Sequence, residues 1–193
     1  NMLSYYHQCI GGYDAAKLQL IQDVIDNNMF QHGNYRQPAN WKIIDMLNGK
    51  FIITESPVQG RDLKLILTDE KRNLSLYENE YALPRAFFVG HYQHISDPRE
   101  LLREMNRQNF DPRQVALLEE KLPMDITAPD SSSFVQMIDY TPDKITLKTS
   151  TNTHALLVIS EIYYPVGWKA FIDGEETKIY KTNHLLRSIL LPE

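Results

Sequence analysis

The stretch Tyr163-Tyr164-Pro165-Val166-Gly167-Trp168-Lys169-Ala170-Phe171-Ile172-Asp173-Gly174 decides the fold of this 193-residue chain. It lies within a longer segment, residues 155–191, that reads as a series of β-strands. Leu156 to Ile162, just before it, is rich in branched residues, which favours a buried strand. Pro165 and Gly167 then interrupt the strand, because proline lacks a backbone donor and glycine relaxes the backbone.

The second half of this segment predicts a hairpin followed by a further strand. Trp168 to Ile172 alternates as a strand does, and Asp173-Gly174 accepts positive φ at little cost, so the chain reverses there. We expect residues 177–181 to form the strand that returns after this turn, and residues 185–191 to form another strand. Short alternating strands with a turn about every ten residues are typical of a sandwich or a packed antiparallel sheet.

The residues before this segment predict helices and a small mixed sheet. Asp14 can cap a helix that runs to about Asn28, Pro38 suits the first position of a second helix, and Asn48-Gly49 ends it. Asp97-Pro98 begins the clearest helix, because Asp97 can cap it and Pro98 fits its first turn. Strands are expected at residues 51–54, 63–68, 74–78 and 86–95, and residues 115–119 fit either a helix or a strand.

A change of composition predicts where the chain divides. Residues 123–133 contain two prolines and three consecutive serines, which is typical of a linker. Strand-like segments follow at residues 134–140 and 144–149. The predicted protein is therefore α+β. Helices and a small mixed sheet form an N-terminal α/β region, residues 1–125, and a β-sandwich-like C-terminal domain covers residues 126–193.

Composition excludes several classes of protein. The formal net charge of −5 argues against broad nucleic-acid binding, which favours a basic face. No uninterrupted apolar stretch is long enough to span a bilayer. Cys9 is the only cysteine, which excludes a disulfide within the chain and a cysteine-rich zinc cluster.

Three groups of polar residues have side chains that could form a reactive site. His91 and His94, three residues apart on a predicted strand, would point to opposite faces, so no metal site is expected. Glu119-Glu120 would also point apart and Glu175-Glu176 lies in a turn, whereas a glycosidase needs two carboxylates across a sugar. No catalytic residue and no cofactor is predicted. Arg85 and Arg187 are expected to form buried or half-buried ion pairs.

Tyr163, Tyr164 and Trp168 are the candidate binding residues. Exposed aromatic rings can stack on the faces of sugars, so these three residues predict a carbohydrate platform. The alternative is structural: Trp168 fills the core of the sandwich while the tyrosines bury their rings and anchor their hydroxyls.

Four stretches in order resemble the C-terminal extracytoplasmic segment of the YfhO-like family of bacterial membrane proteins. The longest runs from Ser160 to Arg187 and contains Ser-Glu-Ile-Tyr-Tyr-Pro, Gly-Trp-Lys-Ala-Phe-Ile-Asp-Gly and Ile-Tyr-Lys-Thr-Asn. The others are Ser4-Tyr5-Tyr6-His7 with Ile10-Gly11-Gly12-Tyr13, Asp45-Met46-Leu47-Asn48, and Leu83-Pro84-Arg85-Ala86-Phe87-Phe88-Val89.

The resemblance implies a role at the membrane. YfhO-like proteins are polytopic glycosyltransferases of the GT-C type, thought to use lipid-linked sugars, with the catalytic acid in a loop among their transmembrane helices. The chain would then be a non-catalytic domain on the extracytoplasmic face of the bacterial membrane. Its partners would be the transmembrane part of the same polypeptide and a glycan or lipid-linked sugar. The resemblance also implies a further strand and a membrane helix after Glu193. The alternatives are a carbohydrate-binding module and a scaffold or interaction domain without a sugar role.

Overall fold

The computed structural model describes residues 9–10, 18–31, 34–38, 40–58 and 61–193. It is mostly sheet with few helices, 38% strand and 14% helix, which confirms the broad α+β class. The chain divides into two compact units, Asn1–Leu83 and Pro84–Glu193. No helix in the described ranges is both long and apolar enough to cross a membrane.

The described part of the first unit contains short helices and a small hairpin before its three-stranded sheet. Its elements are α1 (Gln19–Val24), a π-helical turn (Ile25–Met29), β1 (Phe30–Gln31), β2 (Asn34–Pro38) and α2 (Trp41–Met46). The prediction that Pro38 begins a helix is wrong, because Pro38 ends β2 and Asn40 caps α2 by accepting from the Lys42 amide. Asn48, at a φ of 56°, confirms the predicted stop. The predicted cap Asp14 lies outside the described residues.

Three antiparallel strands complete the first unit, and each lies where a strand was expected. They are β3 (Phe51–Thr54), β4 (Lys64–Asp69) and β5 (Leu74–Glu78), in the order β3-β5-β4. Ile53 and Leu67 both pair with Leu76, so these three side chains share one face of the sheet. Ile53 and Leu67 are exposed there.

A six-stranded sheet forms the centre of the second unit, in the order β6-β11-β15-β14-β8-β7. Only β7 and β8 run parallel, and residues 115–118 are a strand. Asp97 caps α3 by accepting from the Arg99 amide, as predicted. The elements are β6 (Ala86–Val89), β7 (His91–His94), α3 (Pro98–Glu104), β8 (Val115–Leu118), β9 (Phe134–Tyr140), β10 (Ile145–Ser150), β11 (Ala155–Ile162), β12 (Ala170–Ile172), β13 (Glu175–Thr177), β14 (Tyr180–Thr182) and β15 (Leu186–Leu191).

The division between the two units differs from the predicted boundary at residues 125/126. Strands from both sides of that boundary lie in one sheet: β6, β7 and β8 come before it, and β11, β14 and β15 come after it. The expected linker 123–133 has no helix or strand, yet the Thr127 amide donates to the His154 carbonyl at 3.0 Å. Asn152 also donates to Asp130 at 2.7 Å. Proline and serine indicate a loop, but they do not indicate which strands the loop connects.

The hairpin at Asp173-Gly174 is present as predicted. β12 and β13 pair around it, and the φ angles of 51° and 92° are those of a type I′ turn. The segment that returns after this turn forms two strands instead of one. β13 pairs with β12, whereas β14 pairs with β15 and β8 of the six-stranded sheet. The break at residues 178–179 lets the chain move from one sheet to the other.

One face of the six-stranded sheet is covered by both two-stranded hairpins. Its buried residues include Leu157, Ile189 and Leu191. Val135 of β9, Leu147 of β10, and Ala170 and Ile172 of β12 pack against them. Apolar side chains from separate strand pairs thus meet over one sheet face and form one of the apolar clusters of the unit.

Candidate functional site

A β-bulge near the end of β11 positions the candidate site. Ile159 pairs with Arg187 of β15, but the next paired residue is Ile162, opposite Leu186. Ser160 and Glu161 are therefore the extra residues in β11. The Ser160 amide donates instead to the Arg85 carbonyl, at 2.7 Å. Bulges of this kind re-aim a side chain, and here the re-aimed carboxylate is that of Glu161.

Glu161 is held by two donors from other parts of the unit. Its Oε1 accepts from Arg85 Nη1 at 2.5 Å and from the Tyr140 hydroxyl at 2.9 Å. The Arg85 guanidinium carbon lies 4.9 Å from the centre of the Tyr140 ring. The ion pair is half-buried, which confirms the prediction for Arg85. A carboxylate, a guanidinium and a phenol thus fix one another.

A second arginine and aromatic pair lies beside the first. The guanidinium carbon of Arg187 is 4.1 Å from the centre of the Trp168 ring, and its Nε donates to the Ile162 carbonyl at 2.7 Å. Burial lowers the pKa of Arg187, while the Glu161 carboxylate and Tyr140 act in the opposite direction. We call Arg85, Tyr140, Glu161, Trp168 and Arg187 the Glu161 cluster.

The three predicted binding residues differ in their surroundings. Trp168 is half-buried and turns one face of its ring to Arg187, which fits neither a free platform nor a residue enclosed in the core. Tyr164 is 45% exposed, and its ring lies so close to Gly167 that an added Cβ would meet it at 2.7 Å. Tyr163 is half-buried, and its amide donates to the Leu185 carbonyl. Only Trp168 belongs to the Glu161 cluster.

Sequence reasoning did not find Glu161 or Tyr140. Glu161 has an ordinary strand position by alternation, and only the bulge, which depends on pairing with β15, turns it towards Arg85. Tyr140 is brought in from β9, so its role depends on contacts distant in sequence. The one sequence feature that pointed to such a cluster was Arg187, which stands alone among apolar residues. A buried cation needs a compensating group.

The other polar candidates remain apart in the structure. His91 and His94 are exposed on β7. Among the described residues, no group of three or more His, Cys, Asp or Glu side chains could hold a metal ion. Glu176 pairs with Lys169 at 2.9 Å and Glu120 with Lys178 at 2.5 Å, all on the surface.

A separate network in the first unit uses further residues of the quoted stretches. Asp45, which is 1% exposed, accepts two hydrogen bonds from Arg61 Nη2 and one from Asn79 Nδ2. Arg61 also lies over the Tyr81 ring at 4.1 Å. Asn48 Nδ2 donates to the Leu83 carbonyl at 2.6 Å. The network joins the end of α2 to the segment that follows β5.

Comparison of the chain with protein-family models, with curated proteins and with solved structures found no match.

Proposed function

We propose that the chain is a non-catalytic extracytoplasmic domain of a polytopic membrane glycosyltransferase that acts with lipid-linked sugars. Its role is to cover the active site in the membrane or to position an acceptor glycan. The proposal starts from the four stretches that resemble YfhO-like proteins. The observation that carries it is that residues from different stretches are bonded to one another within each unit.

Two of these contacts lie in the first unit. Asp45 and Asn48 come from one stretch, and Asn48 donates to the carbonyl of Leu83, the first residue of another. Asp45 accepts from the Leu83 amide at 2.9 Å through its own carbonyl. Both residues therefore tie α2 to the chain about to enter the second unit. A residue that maintains the fold in this way needs no substrate to explain its presence.

The second unit contains the other contacts. Arg85 bonds to Glu161, and the Ser160 amide bonds back to the Arg85 carbonyl, so two stretches are joined. Within the longest stretch, Arg187 also stacks on Trp168. A domain whose distinctive residues bond to each other suits a covering or positioning role better than a catalytic one. We further infer that the second unit is sandwich-like, because both hairpins pack on one face of the six-stranded sheet.

Fractionation of native cells tests the proposal. An antibody against this chain should detect a polypeptide much larger than 22.5 kDa that stays in the membrane fraction after a high-pH wash. That result is expected because the polytopic part would anchor the domain. Detection of a 22.5 kDa protein in the soluble fraction would overturn it and favour an interaction domain without a sugar role.

A carbohydrate-binding module is the second candidate function. The exposure of Tyr164 and the half-burial of Trp168 favour it, since one ring is open to solvent and the other is partly open. A neutral glycan should then change the fluorescence of Trp168, and Trp168→Ala should remove the response without unfolding the protein. An unchanged response in the variant would assign the signal to Trp41, the other tryptophan, and reject this function.

A further inference from the structure

Arg187 has hydrogen-bonding capacity that the fold does not use. Its side chain is almost enclosed, with the residue 7% exposed. Nε donates to the Ile162 carbonyl, whereas within the described residues neither Nη nitrogen donates to a protein group. Neither Nη nitrogen is fully enclosed. A guanidinium has five donors in a rigid fork, and most of those of Arg187 remain available.

The positive charge of Arg187 also lacks a bonded carboxylate to compensate it. Glu161 Oε1 is already engaged by Arg85 and Tyr140 and acts on Arg187 only through space. Lys181 lies directly opposite Arg187 on β14, but it has a carboxylate of its own, Glu119 Oε1 at 2.5 Å. Two guanidinium groups thus share one carboxylate in the Glu161 cluster. Burying a cation without a bonded anion is costly, and burial is the main cause of the lowered pKa of Arg187.

The orientation of Arg187 suits a particular kind of ligand. The Trp168 ring supports one face of the guanidinium and the Ile162 carbonyl holds Nε, so the edge formed by the two Nη nitrogens is fixed. A fixed planar edge of this kind matches the two oxygens of a carboxylate or a phosphate. The exposed ring of Tyr164 lies on the same loop as Trp168 and offers apolar surface for a sugar ring.

We propose that the Nη edge of Arg187 and the indole of Trp168 form a binding site for an oxyanion, a carboxylate or a phosphate, carried on a sugar. This binding site goes beyond the proposed covering role. The binding experiment can give a negative result while the covering role still holds, because the attachment of the domain to a membrane protein does not depend on the site. The ligand supplies the anion that Glu161, held by Arg85, does not supply to Arg187.

Nuclear magnetic resonance on the unmodified chain tests the site. The probes are glucuronate, glucose 1-phosphate and neutral glucose, and the signals are the Nε–H of Arg187 and the indole N–H of Trp168. We expect saturable shifts of both signals with an anionic sugar, and binding of glucose at least about tenfold weaker, as loss of a charged hydrogen bond implies. The anion that binds more tightly identifies the oxyanion. Equal responses to glucose and to both anions, or no response at all, would overturn the proposal.

Two matched variants test the role of the guanidinium itself. Arg187→Lys keeps the charge but removes the fork, and should weaken binding at least about tenfold. Arg113→Lys, at a surface arginine 3.8 Å from Asp111, should leave binding unchanged. Unaltered affinity in a folded Arg187→Lys protein would reject the site. If that variant does not fold, the shift of the Arg187 Nε–H in the unmodified chain decides the question.

Discussion

Glu161 compensates the positive charges of two arginines in the second unit, Arg85 and Arg187. It bonds directly to Arg85 and lowers the cost of burying Arg187 through space. Its position depends on the bulge in β11, which no local pattern reveals. The arginines could be identified from the sequence as charges among apolar residues. Their partner could not, because the register between β11 and β15 selects it.

Glu161→Gln should therefore destabilise the protein. The substitution removes the one carboxylate that the two arginines share, so we expect the free energy of unfolding to fall by about 1–3 kcal/mol. Urea denaturation measures the change. Glu176→Gln, which breaks an exposed pair with Lys169, is the control and should stay within about 0.5 kcal/mol of the unmodified chain. Equal losses in the two variants would show that Glu161 has no special role.

Asp130 provides a test by titration. Hydrogen bonds from the Ser132 hydroxyl and then the Ser132 amide hold the pKa of Asp130 below its ordinary value of 3.8. Since the folded pKa lies below the unfolded one, the stabilisation is present above the unfolded pKa and is lost as pH falls through the folded pKa. Ser132→Ala should raise the pKa of Asp130 towards 3.8, as carboxyl carbon resonances would show. An unchanged pKa in this variant would contradict the hydrogen-bonding assignment.

At the scale of elements, the positions of several strands could be predicted from the sequence, and their partners in the sheets could not. Residues 51–54, 74–78 and 134–140 are strands as expected. The return of the C-terminal hairpin was expected to be one strand, residues 177–181, but it divides between two sheets. Alternation reports local geometry, whereas the choice of sheet depends on contacts with β8 and β15.

Gly174 tests the hairpin of β12 and β13. Its φ of 92° is strained for a residue with a Cβ, so Gly174→Ala should lower the free energy of unfolding by about 1–2 kcal/mol. Asp173→Asn, at a φ of 51°, should change it by less than about 0.5 kcal/mol, because asparagine tolerates this region. Thermal or urea unfolding of both variants gives the comparison. A neutral Gly174→Ala would argue against the type I′ turn.

At the scale of the whole molecule, the unit Pro84–Glu193 contains every strand of the six-stranded sheet. We expect a fragment of residues 84–193 to fold and to unfold cooperatively. A fragment of residues 126–193 should not, because it lacks β6, which pairs with β11, and β8, which pairs with β14. Circular dichroism and denaturation of both fragments test this division. Cooperative unfolding of the shorter fragment alone would favour the boundary predicted from the sequence.

The central claim of the proposed function is that this domain lies on the extracytoplasmic side of the membrane. In native cells, Val166→Cys in a Cys9→Ser background places a single thiol in this chain at a residue that is 87% exposed. Val158→Cys, at a position that is 0% exposed, is the matched control. A thiol reagent that cannot cross the membrane should label Val166→Cys in cells with an intact inner membrane and should leave Val158→Cys unlabelled. Labelling of Val166→Cys only after the inner membrane is opened would place the domain on the inner side and contradict the account.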